Sequence, residues 1–145
     1  MKTLLCSFLC VFALLNQTVL AQKSGIRGKV TFLSGNQMPG PDYVNSGKGV
    51  KRKIYVYEGL QIPFDKLENG FFPIPQEKPI VIIQSNKKGK FKVRLKPGTY
   101  SLLIAEKEGY LWGNVFDSQG FINPVTVDKD KTSNTEIQIN YNASF

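Results

Sequence analysis

Histidine is missing from all 145 residues, and cysteine occurs only as Cys6 and Cys10. Without imidazole there is no Ser-His-Asp triad, no His-based acid–base step and no zinc-peptidase ligand set. Long apolar runs are equally scarce. The longest, Leu4 to Leu15 broken only by Ser7, falls short of the ~20 apolar residues that span a bilayer. It follows Lys2 and leads through Asn16-Gln17-Thr18 to Val19-Leu20-Ala21. A positive start, an apolar middle and modest residues at the end are the layout of a cleavable signal peptide, so cleavage is expected after Ala21. Both cysteines sit too early in the run for a lipid anchor at its end. They leave with residues 1–21, and the expected mature domain, 22–145, holds together without disulfides in an oxidising compartment. The expected location is secreted, periplasmic or outer-surface, with no membrane-spanning segment.

What is present is positive charge and short alternating segments. The chain carries +8 formally, from 19 Lys and Arg against 11 Asp and Glu. Such a balance draws acidic glycans, anionic head groups or acidic partners, and it also serves plain solubility. Gly25 to Leu33 alternates Ile26, Val30 and Phe32 with Arg27, Lys29 and Thr31, the period of a half-buried strand. Ser34-Gly35-Asn36 is turn chemistry that should end it, and Met38 to Gly49 reads as an irregular loop. Lys51 to Glu58 is a second strand whose basic start suits a guarded edge. Gly59 to Pro79 holds Pro63, Pro73, Pro75 and Pro79 and reads as a long loop, with one helical turn near Asp65 to Glu68. Ile80 to Ser85 is a continuous apolar run, expected to be buried on both faces.

The most specific stretch follows. Asn86-Lys87-Lys88-Gly89 reads as a hairpin loop with glycine free to take a positive φ. Phe91, Val93 and Leu95 then alternate inward against Lys90, Lys92, Arg94 and Lys96 outward. Lys96-Pro97-Gly98-Thr99 fits a type II turn, and Tyr100, Leu102 and Ile104 resume an inward face. Gly109 to Gly120 is expected as a loop, and Phe121 to Val127 and Thr135 to Tyr141 as closing strands. About seven short strands, no amphipathic helix and frequent turns predict an all-β fold of two packed antiparallel sheets.

Two of these stretches carry a family likeness. Gly25-Ile26-Arg27-Gly28-Lys29-Val30 with Ser34 to Gly40, and Lys88 through Tyr100, resemble the two signatures of carboxypeptidase regulatory-like domains. The resemblance implies a transthyretin-like (prealbumin-like) antiparallel β-sandwich of about seven strands. It further implies an accessory module on secreted or surface proteins, especially in Gram-negative bacteria, here as a free-standing variant. The peptidase partner that names the family requires histidines, as do the transthyretin-like hydrolases, so neither activity is expected from this chain.

No catalytic residue, cofactor or metal is expected. Glu58, Asp65, Glu68, Glu106, Glu108 and Asp117 are spread along the chain and read as solvated side chains. Asp128 and Asp130 have Lys129 and Lys131 beside them, which opposes a cation. An isopeptide bond between Lys29 and Asn140 assisted by Glu106 would place its chemistry on solvent faces, where it lacks an apolar shell. The binding candidates are Tyr110, Trp112, Asn114, Phe116 and Asp117, in one aromatic segment between strands. Such aromatics stack on sugar rings or anchor a protein partner; alternatively, Trp112 and Phe116 cap the core. The basic row Lys90, Lys92, Arg94 and Lys96 reads as an ordinary solvated strand face, and nucleic acid is not an expected partner. The expected function is a non-catalytic structural or interaction module of the cell envelope, contacting another envelope protein. The alternative is a carbohydrate-binding module using the loop around Trp112.

Overall fold

The computed structural model describes residues 23–41 and 47–145. The expected signal peptide, 1–21, and the centre of the Met38 to Gly49 loop lie outside them. Ten strands follow in chain order: β1 (Gly25–Asn36), β2 (Lys48–Gly49), β3 (Lys53–Glu58), β4 (Phe71–Pro73), β5 (Val81–Gln84), β6 (Lys90–Arg94), β7 (Gly98–Lys107), β8 (Tyr110–Trp112), β9 (Pro124–Val127) and β10 (Thr132–Ser144). The one helical element described is a 3-10 turn at Phe64–Lys66, within the loop where a helical turn was expected. The chain is therefore all-β, and no helix among the described residues is long and apolar enough to cross a membrane.

The strands form two sheets. In the four-stranded sheet β1 is central, with β10 on one side and β2 and β6 sharing the other. In the six-stranded sheet the order is β4-β8-β7-β3-β5, and β9 also pairs with β7. Side chains at Ile26, Val30, Ile137 and Ile139 from the first sheet meet Ile54, Val56, Leu102 and Ile104 from the second. That buried layer makes a sandwich, and the period-two alternation of β1, β3 and β7 is its cause. One pairing departs from the antiparallel expectation: β1 and β10 run parallel, in register from Gly25 opposite Thr132.

Several sequence expectations need correction. Ser34-Gly35-Asn36 does not end β1; the register slips between Phe32 and Ser34, and the strand continues beside β10. Asn86 to Gly89 is a tight turn, with the Asn86 side chain accepting from the Lys88 and Lys90 amides and Gly89 at φ 81. It carries the chain from one sheet to the other and joins no hairpin, because β5 and β6 belong to different sheets. Pro97 and Gly98 make the return crossing as a bend, with Gly98 at φ 157, outside the value a type II turn requires. The Tyr100 hydroxyl ties that crossing down by donating to the Lys96 carbonyl at 2.7 Å. β3 lies inside its sheet between β5 and β7, so the basic residues before it guard no edge. β5 is the edge instead, and Ile82 there is 48% exposed, where burial on both faces was expected. Short isolated apolar runs read alike in central and edge strands.

The outer face of the six-stranded sheet is also covered. Tyr57, Leu103 and Leu111 point away from the first core and are buried with Leu60, Phe72 and Ile122. These partners come from the segment after β3, from β4 and from the loop before β9. The proline-rich stretch thus acts as a third layer: its prolines keep it out of the central sheet while its apolar residues cover the sheet.

Candidate functional site

The segment expected to be one aromatic loop is divided by the fold among three places. Tyr110, Leu111 and Trp112 form β8, hydrogen-bonded between β4 and β7. Trp112 faces the first core and is 1% exposed, so its ring offers no face to a ligand. Its register opposite Ile104 and Phe71 places it there. Tyr110 is 45% exposed and stands on the rim of an open cleft of about 740 Å³. Lys66, Glu68, Asn69, Phe71, Pro73, Lys107 and Tyr141 complete that cleft's walls. Its floor is occupied from within: the Lys107 ammonium lies 3.8 Å above the Phe71 ring, and Tyr141 meets the same ring edge-on at 5.0 Å.

Asn114, Phe116 and Asp117 do come together. They line a groove of about 430 Å³ between the loop before β9 and the residues Thr135 to Asn140 of β10. Val115, 58% exposed, stands at its mouth, and Pro124, Val125 and Ile137 add apolar wall. Among the described residues β10 pairs only with β1, so this groove runs beside an unpaired strand edge.

Internal hydrogen bonds hold the loop in this shape. Asp117 Oδ1 accepts from the amides of Gln119 and Phe121, both at 2.9 Å. Asn114 Nδ2 donates to Asn140 Oδ1 at 3.0 Å, spanning the groove. The anchor is Asn123, which the sequence reading did not single out. It sits at φ 42, buried, and its Oδ1 accepts from the Asn114 and Val115 amides while its Nδ2 donates to the Leu102 carbonyl. Asparagine tolerates that backbone region and supplies both donor and acceptor, and Asn123-Pro124 was a readable turn signal. On the far side Phe116 stacks at 4.9 Å on Phe64, linking this loop to the proline-rich layer.

The buried carboxylate is Glu106, whose side chain is 2% exposed. A register slip between Ala105 and Lys107 leaves it unpaired in the β7–β8 ladder and turns it toward the interior. Arg52 Nε and the Tyr141 hydroxyl both donate to it. Its oxygens are committed to structure. Lys29 lies opposite Glu136, four positions from Asn140 along β10, and Asn140 is bound to Asn114, so the isopeptide constellation is not assembled. Among the described residues, no three His, Cys, Asp or Glu side chains gather in a metal-binding group.

Burial raises the Tyr57, Tyr100 and Tyr141 hydroxyls above their ordinary pKa; for Tyr141 the bond to Glu106 adds to the effect. Tyr57 is distinctive in another way: its buried hydroxyl has no hydrogen-bond partner among the described residues. Comparison with known proteins adds no further assignment: no protein-family model matches the chain, and no curated protein matches it either.

Proposed function

We propose that this chain is a non-catalytic interaction module of the cell envelope, exported by its N-terminal segment and built on a transthyretin-like sandwich of the carboxypeptidase regulatory-like kind. The single observation that carries the interaction reading is the groove between the Asn114–Asp117 loop and the free edge of β10. It combines an exposed apolar residue, Val115, with an unpaired strand edge on a loop held rigid by Asn123. Rigid scaffolds bearing such loops suit recognition, because little ordering entropy is lost on binding. The absence of histidine and the engagement of Glu106 by Arg52 and Tyr141 support a role without chemistry. A photoreactive residue at Val115 in the native envelope should yield one discrete protein adduct. The same probe at Glu77, far along the chain in the proline-rich layer, should not. Adducts of equal variety from both positions would refute the reading.

The carbohydrate-binding alternative moves from Trp112 to the cleft at Tyr110, where an exposed aromatic stands with Asn69, Lys66 and Lys107. On a glycan array, that reading predicts binding that Tyr110→Ala abolishes and Val115→Asp leaves intact.

A further inference from the structure

The outer face of the four-stranded sheet carries a charge arrangement that alternation on one strand does not explain. β1 and β6 pair so that Arg27 lies directly opposite Lys92 and Lys29 directly opposite Lys90. All four are exposed. Like charges directly across an antiparallel ladder destabilise it, and two such pairs follow in succession. A neutral partner at either position would relieve the repulsion without touching the core. On the other flank β10 places Asn134 beside Arg27 and Glu136 beside Lys29. Arg27 is satisfied by Asn134 at 2.8 Å, a neutral acceptor, and the one salt bridge among the described residues, Arg52 to Glu106, lies elsewhere.

Next to this field is a small hollow of about 210 Å³ with Lys23, Lys92 and Arg94 around it and Gly25 and Thr132 on its lining. Gly25 pairs with Arg94 on one side and Thr132 on the other, so no side chain rises between those two residues at this register. None can be added: a Cβ at Gly25 would run into the Val93 carbonyl oxygen. The cations therefore flank a gap with room for an acidic group and part of the unit that bears it, and then continue in rows. Alternate residues on a strand stand ~6.6–6.8 Å apart and adjacent strands ~4.8 Å. The outward positions at these registers, Arg27, Lys29, Lys90, Lys92, Arg94, Thr132, Asn134 and Glu136, include no apolar side chain to enter lipid.

We propose that this face binds an acidic polysaccharide, with one carboxylate or sulfate seated in the hollow over Gly25 and the following groups met by the Arg27–Lys92 and Lys29–Lys90 pairs. Bound anions would neutralise the repulsion built into the ladder, so the ligand repays locally what the register costs. The site is separate from the groove beside β10 and is independent of its partner.

The test uses immobilised heparin for sulfate and alginate for carboxylate, with dextran as the neutral polymer and phosphatidylglycerol vesicles as the competing surface. The protein should bind one or both acidic polymers at 0.15 M salt, weaken steeply as salt rises, and ignore dextran. Arg27→Gln with Lys92→Gln should lose at least about tenfold in affinity while melting at or above the wild-type temperature, since the like-charge pair is gone. Lys53→Gln with Lys78→Gln removes the same charge elsewhere and should lose less than about twofold. Equal losses from both pairs would reduce the effect to net charge and overturn the proposal. So would binding to the vesicles in preference to both polymers, or no binding to either polymer at 0.15 M salt.

Discussion

Asn123, Tyr57 and Glu106 are buried polar or part-polar side chains, and the first two make different predictions. Asn123→Ala removes three side-chain hydrogen bonds and leaves the Asn114 and Val115 amides and the Leu102 carbonyl without that partner. It should cost about 2–3 kcal/mol in denaturant unfolding, since buried groups left unsatisfied bear most of the loss. Tyr57→Phe deletes a buried hydroxyl that has no partner among the described residues, so stability should stay level or rise by up to about 1 kcal/mol. The three raised tyrosines set the sign of the alkaline response. Their folded pKa values lie above the unfolded value near ~10, so the folded state holds protons that the unfolded state releases. Stability from this source is complete below about pH 10 and is lost as pH climbs through the folded values. The urea midpoint should therefore hold up to about pH 10 and fall above it, and fall less in Tyr57→Phe; a wild-type midpoint that does not change above pH 10 would contradict it. None of these three roles is legible in sequence, because each depends on which residue a register brings opposite.

At the scale of elements, strands with strict alternation were readable and short strands were not. β1, β6 and β7 follow from Ile26-Val30, Phe91-Val93-Leu95 and Tyr100-Leu102-Ile104, whose apolar residues face the first core. β4 and β8 escaped notice because Phe71–Pro73 and Tyr110–Trp112 are too short to display a period. Their burial comes from tertiary pairing with each other and with β7. The proline-rich segment read as a loop with one helical turn for the same reason, and its strand β4 was not legible. Phe72 tests its role: it is buried in the second layer, and Phe72→Ala should cost about 3–5 kcal/mol if that layer is part of the cooperative fold. A loss below about 1 kcal/mol would mark the segment as a loose cover. Tyr100→Phe probes the crossing between sheets; losing the bond to Lys96 should cost about 1 kcal/mol by thermal melt.

For the whole molecule, the two-sheet body was legible from the composition and alternation, whereas the parallel β1–β10 pair was not. Parallel pairing joins segments more than a hundred residues apart, and no local signal distinguishes it from antiparallel pairing. The binding candidates suffered the same limit. Proximity in sequence grouped Tyr110, Trp112, Asn114, Phe116 and Asp117, but β8 ends at Trp112, so the last three belong to a separate loop, and within β8 Tyr110 stands at the rim of the core while Trp112 lies inside it. The groove keeps Asn114, Phe116 and Asp117; the core takes Trp112; the other cleft takes Tyr110. The proposed recognition would then depend on loops that belong to the folded body.

Amide hydrogen exchange read residue by residue tests that dependence directly. The amides of Leu60, Gly113, Ile122 and Asn123 donate within the loops, to Ser101 Oγ and to the carbonyls of Gly70, Leu60 and Val115. They should exchange as slowly as the central amides of β7, opening only with global unfolding. Exchange of these four within seconds, while β7 stays protected, would show the loops moving free of the sandwich and would contradict a preformed recognition surface.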